Sequence, residues 1–166
     1  GLGDVYKRQI KFVDTNKYKK IGSYFSLHNE VNTAYLNDYL MKAGIQIFLP
    51  KLPKDRNNKK LSFFKYLKTD KFTKNRFGIL EPSKNMNPLD INELDLILVP
   101  FRAINKNLYR LGFGGGFYDN SLAEINSNKC LGLGYEFQIL DEFDIEPHDF
   151  KLGRLITPEG YFKNAL

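Results

Sequence analysis

The chain has 166 residues, with 25 Lys and Arg against 19 Asp and Glu, and one cysteine. That length suits a single domain with a proper core, and a lone Cys130 rules out an internal disulfide or a cysteine-built metal site. No apolar run reaches the length of a membrane-spanning helix and no secretory signal opens the chain; the net charge of +6 sits on lysines scattered among asparagines, the pattern of a solvated face rather than a nucleic-acid stripe. The expectation is a cytoplasmic monomer without membrane or nucleic-acid partners.

Residues 1–9 show little pattern and no initiator Met, and read as a fragment end or assembly remnant. Residues 1–19 are therefore set apart as an N-terminal segment, with the domain over 20–166. Residues 21–26 alternate weakly and predict the first strand. Thr33 is a candidate N-cap for a helix through Ala43, whose Leu36, Tyr39, Leu40 and Ala43 fall at helical spacing, and Gly44 stops it. Residues 45–49 then read as a second strand, so this βαβ unit predicts a parallel sheet.

Residues 51–60 form the densest basic stretch and read as an exposed loop, with Pro53 and Asn57-Asn58 as turn signals. Residues 61–66 are an aromatic-rich strand, and the polar residues 68–76 a loop or excursion. Residues 94–99 are almost wholly apolar, as a central strand covered on both faces requires. A helix over 117–124, a strand over 130–137 and a short strand over 154–157 complete the chain. Strands alternating with helices predict a three-layer α/β/α, Rossmann-like, mostly parallel sheet in a single domain. Ligands in such sheets sit at the carboxyl ends of the strands, where Glu30, the segment around residues 110–119 and Tyr135 would converge.

That segment reads R-L-G-F-G-G-G-F-Y-D, with glycines at 112, 114, 115 and 116. So little side-chain cover and free access to positive φ allow backbone amides to face an anion, and a following helix would add its N-terminal dipole. It is neither a dinucleotide fingerprint, since Phe117 stands where a third glycine is needed, nor a Walker loop, since no Gly-Lys-Ser/Thr follows. Arg110 offers a fixed cation and Asp119 a hard oxygen of the kind Mg²⁺ takes beside phosphates. A tightly packed turn between strand and helix is the plainer alternative.

The runs D-L-I-L-V-P, R-L-G-F-G-G-G-F-Y-D, L-G-L-G-Y-E-F-Q at 131–138 and P-H-D at 147–149 closely resemble the 5-formyltetrahydrofolate cyclo-ligase (5,10-methenyltetrahydrofolate synthetase) family. Upstream, S-L-H-N-E-V-N-T at 26–33 and G-I-L-E-P at 78–82 resemble two more of its segments, in the same order. The resemblance implies ATP- and Mg²⁺-dependent conversion of 5-formyltetrahydrofolate to 5,10-methenyltetrahydrofolate with release of ADP and phosphate. It also implies an N-terminal basic helix reaching the ATP phosphates, which residues 1–19 do not display.

By position the resemblance assigns nucleotide binding to Arg110, Leu111, Gly112, Phe113, Gly114, Gly115, Gly116, Phe117 and Tyr118, and catalysis to Arg110 and Asp119. Metal binding falls to Asp119 and Asp149, and folate contact to Phe25, Glu30, Phe113, Gly114, Gly115, Gly116 and Phe117. A carboxylate at Glu30 suits a pterin edge with adjacent N–H donors. The plainer roles are a helix-end carboxylate for Asp119, an ion pair for Arg110, a surface turn for Asp149 and core packing for Phe25 and Phe113. His28 and His148 read as structural or surface residues. The chain departs from the family pattern at Phe101, Arg102, Phe117 and Asn120, and the bulk of Phe101 is expected to alter the pocket. A degenerate or truncated binder of folate and nucleotide, a sugar-phosphate or CoA-transferase-like enzyme, and a non-catalytic anion binder are the rival readings.

Overall fold

The structure, a computed structural model, describes residues 11, 13, 17–27, 30–84 and 87–163. Residues 1–10 and His28, both named above, lie outside that set. Five strands run parallel at the centre of a seven-stranded sheet: β2 (Gln46–Lys51), β1 (Lys20–Gly22), β6 (Leu96–Val99), β9 (Cys130–Leu133) and β10 (Arg154–Ile156), neighbours in that order. Antiparallel strands close both edges, β3 (Ser62–Lys65) against β2 and β11 (Tyr161–Lys163) against β10.

The parallel centre follows from composition. All four residues of β6 are buried, and side chains of a strand alternate between faces. Leu96 and Leu98 join Ile21, Ile47, Leu36 and Leu40 in one core cluster. Ile97 and Val99 join Phe63, Phe101, Leu122 and Leu155 in the other. Helix α1 (Ala34–Lys42) contributes Leu36 and Leu40 to the first face and helix α2 (Phe117–Leu122) contributes Leu122 to the second, so the sheet carries a helix on each side. Each such aliphatic side chain, fully buried, contributes about 1.5–3 kcal/mol. Cys130 lies within the second cluster, and burial pushes its thiol up to about 12.

Several predicted boundaries shift. The first strand ends at Gly22 rather than at 26, because the chain leaves the sheet to build a cavity wall. Thr33 takes the predicted N-cap position of α1, but its side chain makes no cap hydrogen bond: its Oγ1 donates to the Tyr24 carbonyl (2.5 Å), while Asn32 Oδ1 accepts from the Ala34 N–H (2.9 Å). Gly44 ends the helix region at φ +86°. Residues 68–76 hold β4 (Phe72–Lys74), paired with β5 (Leu80–Pro82) in a separate hairpin. A second small hairpin, β7 (Ala103–Ile104) with β8 (Arg110–Leu111), leads from the central strand into the glycine segment. The predicted strand 130–137 stops at Leu133, and residues 136–138 turn as 3₁₀.

Phe101 does not crowd the pocket as its bulk suggested. It is 1% exposed, and a Cβ added at Gly132 would come within 2.9 Å of its ring; one added at Gly134 would collide with it. The glycines of L-G-L-G-Y thus make room for Phe101 inside the core.

Candidate active site

The connection from β1 leads to β2 on one side, while β6 lies on the other. Chains therefore diverge at the carboxyl ends of β1 and β6, the crevice where open α/β sheets hold ligands. A cavity of about 280 Å³ occupies this place. Tyr24, Phe25, Leu27 and Glu30 wall it after β1, Pro100 after β6, and Phe113, Gly115, Phe117 and Tyr118 from the glycine segment. The β4–β5 hairpin adds Asn75, Phe77 and Glu81.

Glu30 is 8% exposed and its Oε2 accepts from the Leu27 N–H (2.7 Å). Burial raises its pKa, partly offset by that hydrogen bond and by the charge of Arg110. Beside it lie Tyr24 and Tyr118, whose hydroxyls are buried without a hydrogen-bond partner among the described residues. Burial, reinforced by the Glu30 charge, raises both phenol pKa values. Unsatisfied hydroxyls next to a carboxylate are costly in an empty protein. They make this end of a mostly apolar cavity a polar pole, apart from Asn75 and Glu81 on the hairpin wall.

Two of the four clustered glycines meet a conformational demand: Gly114 and Gly116 have φ of +97° and +71°. The other two allow close approach. A Cβ at Gly112 would stand 2.6 Å from Arg110 Nη2, and one at Gly115 would stand 2.7 Å from the Phe117 ring. Helix α2 then spans six residues, ending two earlier than predicted, and is too short to carry the developed dipole expected of it.

Arg110 and Asp119 meet. Arg110 Nη1 lies 2.9 Å from Asp119 Oδ1 and its Nε donates to the Pro100 carbonyl (3.2 Å). The same Asp119 oxygen accepts from the Phe150 N–H (3.1 Å). The side chains are 4% and 10% exposed, so this buried pair fastens the glycine segment to the end of β6 and to the 146–150 turn. Asp149 Oδ2 holds that turn by accepting from the Glu146 N–H (2.8 Å), and His148 is exposed beside Glu146.

A second cavity, of about 350 Å³, lies on the other side of the glycine segment. It is walled by residues 110–119 together with Asp144, Glu146, His148 and Asp149. Phe113, Gly115, Phe117 and Tyr118 border both cavities. Four carboxylates against one guanidinium would repel a polyphosphate unless a cation accompanies it. Among the described residues no group of three His, Cys, Asp or Glu is arranged to hold a metal. Mg²⁺ needs none, since it keeps waters and takes one or two carboxylates plus substrate phosphates. Asp119 Oδ2, free of the bonds above, and Asp149 are hard donors of that kind.

Glu30, Phe25, Phe113, Gly115 and Phe117 thus share the first cavity. Leu111, Gly112, Gly114, Gly116, Asp119 and Asp149 border the second alone. Tyr135 borders a neighbouring pocket with Phe25 and Glu30. Phe113, 51% exposed, faces the opening rather than the core. Asn75, Phe77, Glu81 and Tyr24 were not singled out from the sequence. Glu81 lies in the G-I-L-E-P motif and accepts from the Leu52 N–H (3.1 Å), tying the hairpin to β2; only folding brings the other three to the cavity.

The chain matches the 5-formyltetrahydrofolate cyclo-ligase family over residues 3–158. The 5-formyltetrahydrofolate cyclo-ligase of Haemophilus influenzae is 33% identical over 151 residues, covering 89% of this chain and 80% of the relative. That of Escherichia coli K12 is 31% identical, covering 83% and 77%. The solved 5,10-methenyltetrahydrofolate synthetase of Aquifex aeolicus superposes with a TM-score of 0.80 at 25% identity, covering 98% of this chain and 80% of that one. The Mycoplasma pneumoniae synthetase gives 0.72, also at 25% identity, covering 93% and 83%. Matched by sequence over most of its length and by fold to solved synthetases, this chain belongs to the 5-formyltetrahydrofolate cyclo-ligase family.

Proposed function

We propose that this chain converts 5-formyltetrahydrofolate to 5,10-methenyltetrahydrofolate with ATP as co-substrate. The observation that carries the reading is the shared wall: Phe113, Gly115, Phe117 and Tyr118 divide a mostly apolar cavity, with a polar pole at Glu30, from a cavity lined by a glycine segment and carboxylates. A flat heterocycle suits the first, with its N–H edge at Glu30. A triphosphate suits the second, with its terminal phosphate toward the divide.

The formyl oxygen is a poor leaving group. It attacks the terminal phosphorus, the bond to ADP breaks, and the oxygen becomes a phosphate ester. The second folate nitrogen then attacks the formyl carbon and loses its proton, and the carbon–oxygen bond breaks with phosphate carrying the electron pair. Little covalent work falls to the protein, whose part is positioning and charge neutralisation. Glu30 orients the pterin, and the glycine-segment amides face the phosphates. Asp119 and Asp149 would hold Mg²⁺, which when bound neutralises phosphate charge. Arg110, whose guanidinium is engaged by Pro100 and Asp119, acts as a positioning residue for Asp119. The domain doing this is assigned to residues 20–166, although the family match starts at residue 3. The cytoplasm and a monomeric working form belong to the same proposal.

Mixing the protein with 5-formyltetrahydrofolate, ATP and Mg²⁺ should generate the methenyl chromophore. Folded protein that produces none, at any nucleotide concentration, would sink the assignment.

A further inference from the structure

Two cations outside the glycine segment converge on one of its rings. Lys59 Nζ lies 4.9 Å from the centroid of the Phe117 ring, and Arg76 Cζ lies 5.6 Å from the same point. Arg76 also lies 5.3 Å from the Phe77 ring, which packs edge-on to Phe117 at 6.1 Å. Both side chains are exposed, and neither forms an ion pair with a carboxylate among the described residues. Two cations on one ring, neither with an ion-pair partner among the described residues, repel each other, and an anion relieves that.

Both come from anchored loops. On one side of Lys59, Lys60 Nζ donates to the Asn120 carbonyl (2.7 Å), and the Leu61 N–H donates to Ser121 Oγ (2.8 Å), fixing this loop to α2. Arg76 sits in a turn where Asn75 Oδ1 accepts from the N–H groups of Phe77 (2.9 Å) and Ile79 (3.1 Å), and its Nη1 donates to the Pro53 carbonyl (3.4 Å). Phe117 is one of the residues that divide the two cavities, and its ring lies against Gly115.

Resting on the ATP-dependent reaction proposed above, we infer that Lys59 and Arg76, which line neither cavity themselves but lie on the Phe117 ring that borders both, form a cationic clamp for the terminal phosphate of the nucleotide. They supply positive charge that the glycine cavity lacks, since its one guanidinium is already paired with Asp119. A fixed cation on a phosphate oxygen is a charge-assisted contact, about twice as strong as a neutral one. Arg76 can offer two parallel donors and Lys59 a point charge.

Calorimetric titration of the full chain with Mg²⁺ and a non-hydrolysable ATP analogue tests this, using Lys59→Gln, Arg76→Gln and the double variant. Each single change should weaken analogue binding roughly tenfold and flatten its salt dependence, while adenosine and 5-formyltetrahydrofolate affinities stay at the wild-type value. Arg76→Lys should recover part of the loss. Analogue binding equal to wild type in the double variant overturns the clamp. So does a loss confined to the triglutamate form of 5-formyltetrahydrofolate, which would make the pair a carboxylate site, or an equal loss for adenosine, which would mark a general disturbance. A wild-type protein that binds the analogue and fails to cyclise 5-formyltetrahydrofolate would refute the proposed reaction and leave the clamp standing.

Discussion

Replacing Asp119 by alanine should do two separable things. Its side chain is 10% exposed, and it faces the 4%-exposed Arg110 at 2.9 Å. Removing one partner of a buried pair leaves the other charged and uncompensated, at about 3–5 kcal/mol, and here it also strips the Phe150 N–H of its acceptor. A domain of this size loses about 2–4 °C of melting temperature per kcal/mol, so Asp119→Ala should melt roughly 6–20 °C below wild type. Asp119→Asn keeps an oxygen for the Phe150 N–H and for Arg110, and should recover part of the loss. Neither variant should support turnover at temperatures where it remains folded, because the amide is a poor Mg²⁺ donor. Thermal melts by circular dichroism, with the chromophore assay run below each midpoint, separate the effects. A melting temperature for Asp119→Ala within about 2 °C of wild type would refute the buried-pair argument. Wild-type turnover in the folded variant would refute the metal role.

Glu30→Gln should abolish productive folate binding yet make the empty protein more stable at neutral pH. Burial raises the Glu30 pKa in the folded state, so the stability tied to this group is present below the unfolded pKa and is lost as pH rises through the folded one. Wild-type melts should therefore decline across that window relative to the glutamine variant, while the wild-type KM for the folate climbs as pH falls through it; parallel melting profiles would contradict this. Tyr24→Phe removes a buried hydroxyl without a partner among the described residues and should stabilise the protein by about 1 kcal/mol in urea titrations; a loss of that size would mean the hydroxyl is satisfied. Gly134→Ala should cost about 1–3 kcal/mol by driving a methyl into Phe101. Phe101→Leu in the same chain should recover much of it, and purely additive losses would rule out that contact.

Local pattern was enough for the central strands. An unbroken apolar run such as residues 96–99 has few places to go except a sheet covered on both faces, and Leu36 and Leu40 at helical spacing against a β-strand call for a βαβ unit. Glycine spacing likewise marked the loop, since four glycines in five positions serve either left-handed backbone or close contact, and Gly114 and Gly112 do one each. Edges and turns were less legible. Strand β11 is a three-residue piece whose identity comes only from pairing with β10, and the β4–β5 hairpin hides in a polar stretch because its side chains are mostly outside the main core.

The α/β class, the family and the chemical types in the site are legible from residue identity and order along the chain, because those are what they depend on. Tertiary structure alone decided which charges are spent and which are free. Arg110 and Asp119, nine residues apart, neutralise one another in the interior, whereas Lys59 and Arg76, ordinary members of a scattered basic set, are brought to one ring. Electrostatic energy depends on distance and burial, and neither is written in the spacing of residues along a chain.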